Sequence, residues 1–135
     1  MKSHFYHLQI NISFKNLHFY RELMEFLGWS VIFENKNIIG FQNGDRGHIW
    51  FGRTDDTNEV DYNKKGMNHL AIKVETLKDV DAIVEYLNKK KILPLFQTPR
   101  HRPEFVGKET HTYYQVMFES PDKILFEIAY IGPKF

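Results

Sequence analysis

One pattern occurs twice in this sequence, and it limits the possible folds more than any other feature. Pairing Phe41 with Phe118 lines Asn43-Gly44-Asp45-Arg46 up with Ser120-Pro121-Asp122-Lys123. The same pairing carries Ile49, Trp50 and Phe51 onto Phe126, Glu127 and Ile128 without a gap. The openings match as well, His7-Leu8-x-Ile10 against His69-Leu70-x-Ile72. An internal duplication on this scale means that each copy is one supersecondary unit, and it outranks any single short motif as evidence of architecture.

The unit can be read from its periodicities. Residues 4–12 alternate as a strand, with Leu8, Ile10 and Ile12 facing one way and His7, Gln9 and Asn11 the other. From Ser13, a predicted N-cap, apolar residues recur at helical spacing (Leu17, Tyr20, Leu23, Met24, Leu27) and Gly28 marks the stop. Short strands follow at Trp29 to Glu34, Ile38 to Gln42 and His48 to Arg53, with Asn35-Lys36-Asn37 and Asn43 to Gly47 as turns. The polar, aperiodic residues 54–65 read as a linker.

Gly66 restarts the order. A strand carries His69, Ala71 and Lys73 on one face. Thr76 and Asp79 then stand in the spacing of a capping box, ahead of a helix bearing Leu77, Val80, Ile83, Val84 and Leu87. Lys89-Lys90-Lys91 reads as a solvated helix end favoured by the macrodipole. A strand over Ile92 to Gln97, an irregular loop over 98–109, and strands at His111 to Glu119 and Ile124 to Tyr130 complete the copy. The expectation is an α+β fold: a single domain, 1–135, of two βαβββ repeats (about 4–53 and 66–131) forming curved mixed sheets.

Composition removes several classes of function. Eighteen basic against seventeen acidic residues leave a net charge of +1, with no electrostatic footprint for nucleic acid. There is no cysteine, so thiolate metal sites and cysteine nucleophiles are excluded. No run of about 18 apolar residues suggests a membrane span, and Met1 to Tyr6 lacks the apolar core of a signal peptide; a cytoplasmic protein is expected. The eight glycines sit at scattered turns and form no phosphate-binding loop. What remains is nitrogen and oxygen chemistry: His7, His69 and Glu127, two imidazoles and a carboxylate on strands, suit a divalent transition metal.

A duplicated βαβββ unit, with histidine opening each copy and glutamate in the closing strand, resembles the vicinal oxygen chelate superfamily of glyoxalases, fosfomycin-resistance enzymes, extradiol dioxygenases and bleomycin-resistance proteins. The resemblance is most specific over Tyr113 to Ile128, where Phe118-Glu119-Ser120-Pro121-Asp122-Lys123 precedes Glu127. Ser120 and Lys123 replace the aspartate and glycine usual in that hairpin. His7 to Ile12, Phe19-Tyr20-Arg21 and Leu27-Gly28-Trp29 are similar to the family's first strand and helix.

The resemblance implies that His7, His69 and Glu127 hold one divalent ion (Zn, Ni, Mn or Fe(II)) as a facial triad. The activity implied is a lyase, isomerase, transferase or dioxygenase step on a small oxygen-chelating substrate. A glyoxalase with four ligands would need a carboxylate where the repeat places Trp50, and the extradiol pattern would need a tyrosine where Met117 stands. His111 and Tyr113 share a strand face and are the candidate proton donors or substrate anchors, if that face looks into the cup. The other reading is a metal-free protein of the bleomycin-resistance type that sequesters a small ligand. A homodimer is expected, and the site can be formed within one chain or across two.

Overall fold

A computed structural model describes residues 1–135. The chain divides into two compact units, Met1–Glu59 and Val60–Phe135, and the boundary falls inside the polar stretch 54–65. The first unit runs β1 (His7–Ile12), a 3-10 turn (Phe14–Asn16), α1 (Leu17–Phe26), β2 (Ser30–Glu34), β3 (Ile38–Gln42) and β4 (His48–Arg53). The second runs β5 (Leu70–Lys73), α2 (Leu77–Lys89), β6 (Leu95–His101), a 3-10 turn (Pro103–Phe105), β7 (His111–Glu119) and β8 (Leu125–Pro133). No helix is long and apolar enough to cross a membrane.

Each unit is a βαβββ module with a four-stranded mixed sheet, ordered β1-β4-β3-β2 in the first and β5-β8-β7-β6 in the second. The opening strand pairs in parallel with the closing one, β1 with β4 and β5 with β8, and the other pairings are antiparallel. The registers reproduce the sequence repeat. Trp50 stands between Gln9 and Gly40, and its counterpart Glu127 stands between Ala71 and Met117. A slip of one residue would turn every core side chain to the opposite face, so this agreement fixes both sheets at once.

Within each unit the helix covers one face of the sheet. In the first, Ile10, Ile12, Ile39, Phe41, Ile49 and Phe51 are buried with Tyr20, Leu23 and Met24 of α1. Tyr20 and Phe51 have ring centroids 4.7 Å apart. Burying an aromatic or aliphatic side chain of this size stabilises by about 1.5–3 kcal/mol. In the second, Val80, Ile83 and Leu87 of α2 are buried with Ile72, Val116, Phe118, Phe126 and Ile128.

The helix ends follow local chemistry. At α2 the Asp79 amide donates to Thr76 Oγ1 (3.1 Å) and the Thr76 amide to Asp79 Oδ2 (2.8 Å), the reciprocal capping box. Both helices close with the same backbone device, in which the second residue past the cap donates back to the last turn. Trp29 N bonds Met24 O behind Gly28 (φ +86°), and Ile92 N bonds Leu87 O behind Lys91 (φ +59°). The lysine run therefore supplies a left-handed residue as well as charge. The Arg21 guanidinium pairs with both carboxylate oxygens of Glu34, tying α1 to β2.

Several boundaries differ from the sequence expectation: β1 begins at His7, β5 at Leu70 and β6 at Leu95, and β8 runs on to Pro133. Ser13 opens a 3-10 turn, and α1 proper begins only at Leu17. Residues 98–101 belong to β6 rather than to a loop. The β6–β7 register breaks between Leu95 and Arg100, where Phe96 (φ +56°) and Gln97 (φ +60°) are left-handed and the Thr98–Pro99 peptide is cis. Thr98 carries the ladder across this bulge: its hydroxyl accepts from Met117 N (2.9 Å) and donates to Leu95 O (2.6 Å). A side chain thus stands in for backbone groups that periodicity alone cannot supply.

Candidate functional site

Glu127 is the centre of the polar structure in the second unit. It lies mid-strand in β8 and is only 4% exposed, so its carboxylate must be satisfied by neighbours. Oε1 accepts from the Tyr113 hydroxyl and from Gln115 Nε2 (3.1 Å), both on β7. Oε2 faces His69 Nε2 at 2.9 Å, from the residue just before β5. Side chains of β7 and of the residue preceding β5 therefore converge on one carboxylate of β8.

The network continues outward on both sides. Gln115 Oε1 accepts from Arg102 Nη1 (3.3 Å), and Arg102 Nε donates to Glu104 Oε1 (2.5 Å). The Arg102 guanidinium also lies 4.6 Å from the centre of the Phe105 ring, which meets Tyr113 edge-on at 5.4 Å. On the other side His69 Nδ1 approaches Asn68 Oδ1 at 2.7 Å, and Asn68 Nδ2 donates to Tyr62 O at 2.8 Å. That second bond fixes which way the Asn68 amide faces, and hence that its oxygen is turned to the histidine.

Both ring nitrogens of His69 thus face oxygen acceptors. With Nδ1–H given to Asn68, Nε2 meets the Glu127 carboxylate either as a second N–H or as a lone pair needing a cation between them. A metal-binding histidine has the same arrangement, its second nitrogen held by an acceptor that sets tautomer and ring orientation. His69 remains about one-third exposed, so the pair is open to an incoming ligand.

Tyrosines around the cluster are held protonated. Burial, and then its hydrogen bond to Glu127, pushes Tyr113 well above the ordinary phenol value of 10.0. On the opposite face of β7, burial and the bond from its hydroxyl to Asp81 Oδ1 (2.8 Å) raise Tyr114 to about 12.

The structure brings His69, Glu127 and Tyr113 together. His111 shares their strand face by alternation but sits at the end of β7 opposite Pro133, and its Nδ1 is engaged by Thr110 Oγ1 (2.9 Å). His7 lies in the first unit, at the start of β1 opposite His48, with Tyr6 edge-on at 5.2 Å. No group of three or more His, Asp or Glu side chains that could hold a metal is gathered in the chain. Trp50, where the repeat would put a second carboxylate, lies over Gly40 and fills that position with a ring. Gln115, Asn68 and Arg102 complete the cluster unforeseen. Only Gln115 had a signal, a polar residue mid-strand on the face of Tyr113.

Fold and site together define a two-module protein whose second module centres on a buried carboxylate and a histidine. The model of the Glyoxalase/Bleomycin resistance protein/Dioxygenase superfamily matches residues 4–128, and the chain belongs to that superfamily. Among solved structures it is similar to a candidate glyoxalase from Bacillus halodurans, at 24% identity over 93% of each chain with a TM-score of 0.75. A glyoxylase/bleomycin resistance protein/dioxygenase domain from Frankia sp. EAN1pec shares 19% identity, covering 98% of this chain and 100% of that one, with a TM-score of 0.68. A protein of the same description from Alicyclobacillus acidocaldarius shares 16%, over 93% and 89%, at 0.64. These identities establish the fold. No curated protein matches the chain.

Proposed function

We propose that the chain is a divalent-metal-dependent enzyme acting on a small oxygen-bearing substrate, with His69 and Glu127 as two of the ligands. The observation that carries this reading is the 2.9 Å approach of His69 Nε2 to a buried carboxylate while Nδ1 is held by Asn68. The donor set fits a first-row ion as far as it goes: one imidazole whose tautomer is set, and one anionic oxygen. His7 is the third ligand of the family pattern, contributed by this chain or by a second copy in a homodimer. A bound ion there would act as a Lewis acid toward a substrate oxygen.

The chain's own groups do the rest. Tyr113 is neutral over the ordinary pH range and donates its hydroxyl to Glu127 Oε1, which holds that carboxylate oxygen in place. Gln115 holds Oε1 from the other side and leaves Oε2 as the oxygen turned to His69. His111, near the same face, is a secondary candidate for a substrate contact.

Metal content decides the matter. Protein purified without added ion, and again after exposure to Mn, Fe(II), Ni or Zn, is analysed as wild type and as His7→Ala, His69→Ala and Glu127→Ala. Stoichiometric metal in the wild type that is lost in the variants supports the enzyme. Wild-type protein that takes up none of these ions is instead the metal-free ligand-sequestering protein.

A further inference from the structure

The Arg100 side chain makes no hydrogen bond and no ion pair. It stands directly opposite Gln115 in the β6–β7 pair. Residues directly opposite in an antiparallel pair project to the same face. Gln115 gives its amide to Glu127, so Arg100 rises from the face that carries Glu127, Tyr113 and His69. Its neighbour His101, opposite Tyr114, turns to the other face, where it stacks on the Tyr114 ring at 4.5 Å and meets Thr112 Oγ1 at 2.6 Å. The bulge pinned by Thr98 sets this alternation, so the placement of Arg100 belongs to the folded strand.

Its Nε is buried and makes no hydrogen bond, and no carboxylate pairs with its guanidinium. Arg102, two residues on, is in the opposite condition, held by Glu104, Gln115 and the Phe105 ring. Arg102 is thus closed off by its own ion pair, whereas the Arg100 guanidinium on the same face has no carboxylate within ion-pair distance. Its Nη donors are not buried, and they are the groups open to a ligand that accepts from the guanidinium.

We propose that Arg100 anchors a carboxylate group of the ligand taken on this face. A planar guanidinium fork matches the two oxygens of a carboxylate in geometry as well as charge. The assignment shares with the proposed function the reading of this face as the ligand face, and it requires no metal.

The test uses metal-stripped protein with 15N-labelled arginine and sodium pyruvate as the probe. The Arg100 Nε–H resonance is identified by its absence in Arg100→Lys. It is expected to move saturably with pyruvate and to stay put with methyl pyruvate, the neutral ester, and with sodium chloride. Binding followed by calorimetry should weaken at least about tenfold in Arg100→Gln. No movement, the same movement with ester or chloride, or unchanged affinity in Arg100→Gln overturns the proposal. Failure of the metal reading is separable: a chain that takes up no ion yet shows the pyruvate shift keeps the anchor, and a metal-loaded chain without the shift loses it.

Discussion

Gly40 and Trp50 stand directly opposite each other on β3 and β4, and the indole lies over the glycine so closely that a Cβ there would meet Trp50 Cδ2 at 2.7 Å. The corresponding pair in the second unit is Met117 and Glu127. Duplication thus kept the register and exchanged the chemistry. Where one module has a buried carboxylate, the other has a ring lying on the sheet, and the glycine is what lets it lie there.

Gly40→Ala should therefore destabilise the chain, by about 1–3 kcal/mol in urea unfolding, because the added methyl must displace the indole. The same substitution in a Trp50→Ala background should cost much less, since the space is then empty. A double-mutant cycle with no coupling between the two positions would contradict the close packing.

Thr98→Val removes the hydroxyl that bridges the bulge while nearly preserving shape. The Met117 amide then loses its acceptor and the Leu95 carbonyl its donor. Leaving a buried backbone group unpaired costs about 1–3 kcal/mol. Hydrogen exchange should show the Met117 amide becoming much less protected, with amides in the first unit unchanged.

Much of the fold was legible because hydrophobic period and duplication agree. Ile10 and Ile12 face the core with Phe51, Glu127 follows from Trp50 by register, and the Thr76 box is local enough to read directly. β6 was not legible. Two left-handed residues and a side chain bonding in place of backbone interrupt its alternation, so residues 98–101 looked like loop. The site was legible only in part. Glu127 and His69 stood out as chemistry-bearing residues on strands, but Asn68 and Arg102 read as ordinary polar surface. Their roles depend on the direction of a side-chain amide and on a chain bend at Pro103, neither of which has a periodic signature.

Alkaline titration tests two of the three raised phenols, Tyr113 and Tyr114. Tyr114, at about 12 against an ordinary 10.0, binds its proton more tightly folded than unfolded, through burial and then its bond to Asp81. The stability this contributes is fully present below about pH 10 and is lost as pH rises through about 12. Tyrosinate absorbance should show a late group that loses one member in Tyr114→Phe and another in Tyr113→Phe. Stability should fall less steeply between pH 10 and 12 in Tyr114→Phe than in the wild type. A titration in which neither variant changes the late group would contradict both environments.

Asn68→Leu tests whether His69 is prepared as a ligand. The asparagine accepts from Nδ1 at 2.7 Å and is itself held by the Tyr62 carbonyl, so removing its oxygen frees the imidazole to change tautomer and to rotate away from Glu127. Second neighbours of this kind typically change metal affinity by about 10–100-fold. Titration of Ni or Zn into the stripped protein should show a loss of that order in Asn68→Leu, and Asn68→Asp should restore much of the affinity because a carboxylate accepts from Nδ1 equally well. Urea unfolding of the metal-free variants controls for damage to the fold, since Asn68 is exposed and outside both helices. Equal affinity in wild type and Asn68→Leu would show that the orientation of His69 is set without Asn68, and would remove the main structural support for His69 as a ligand.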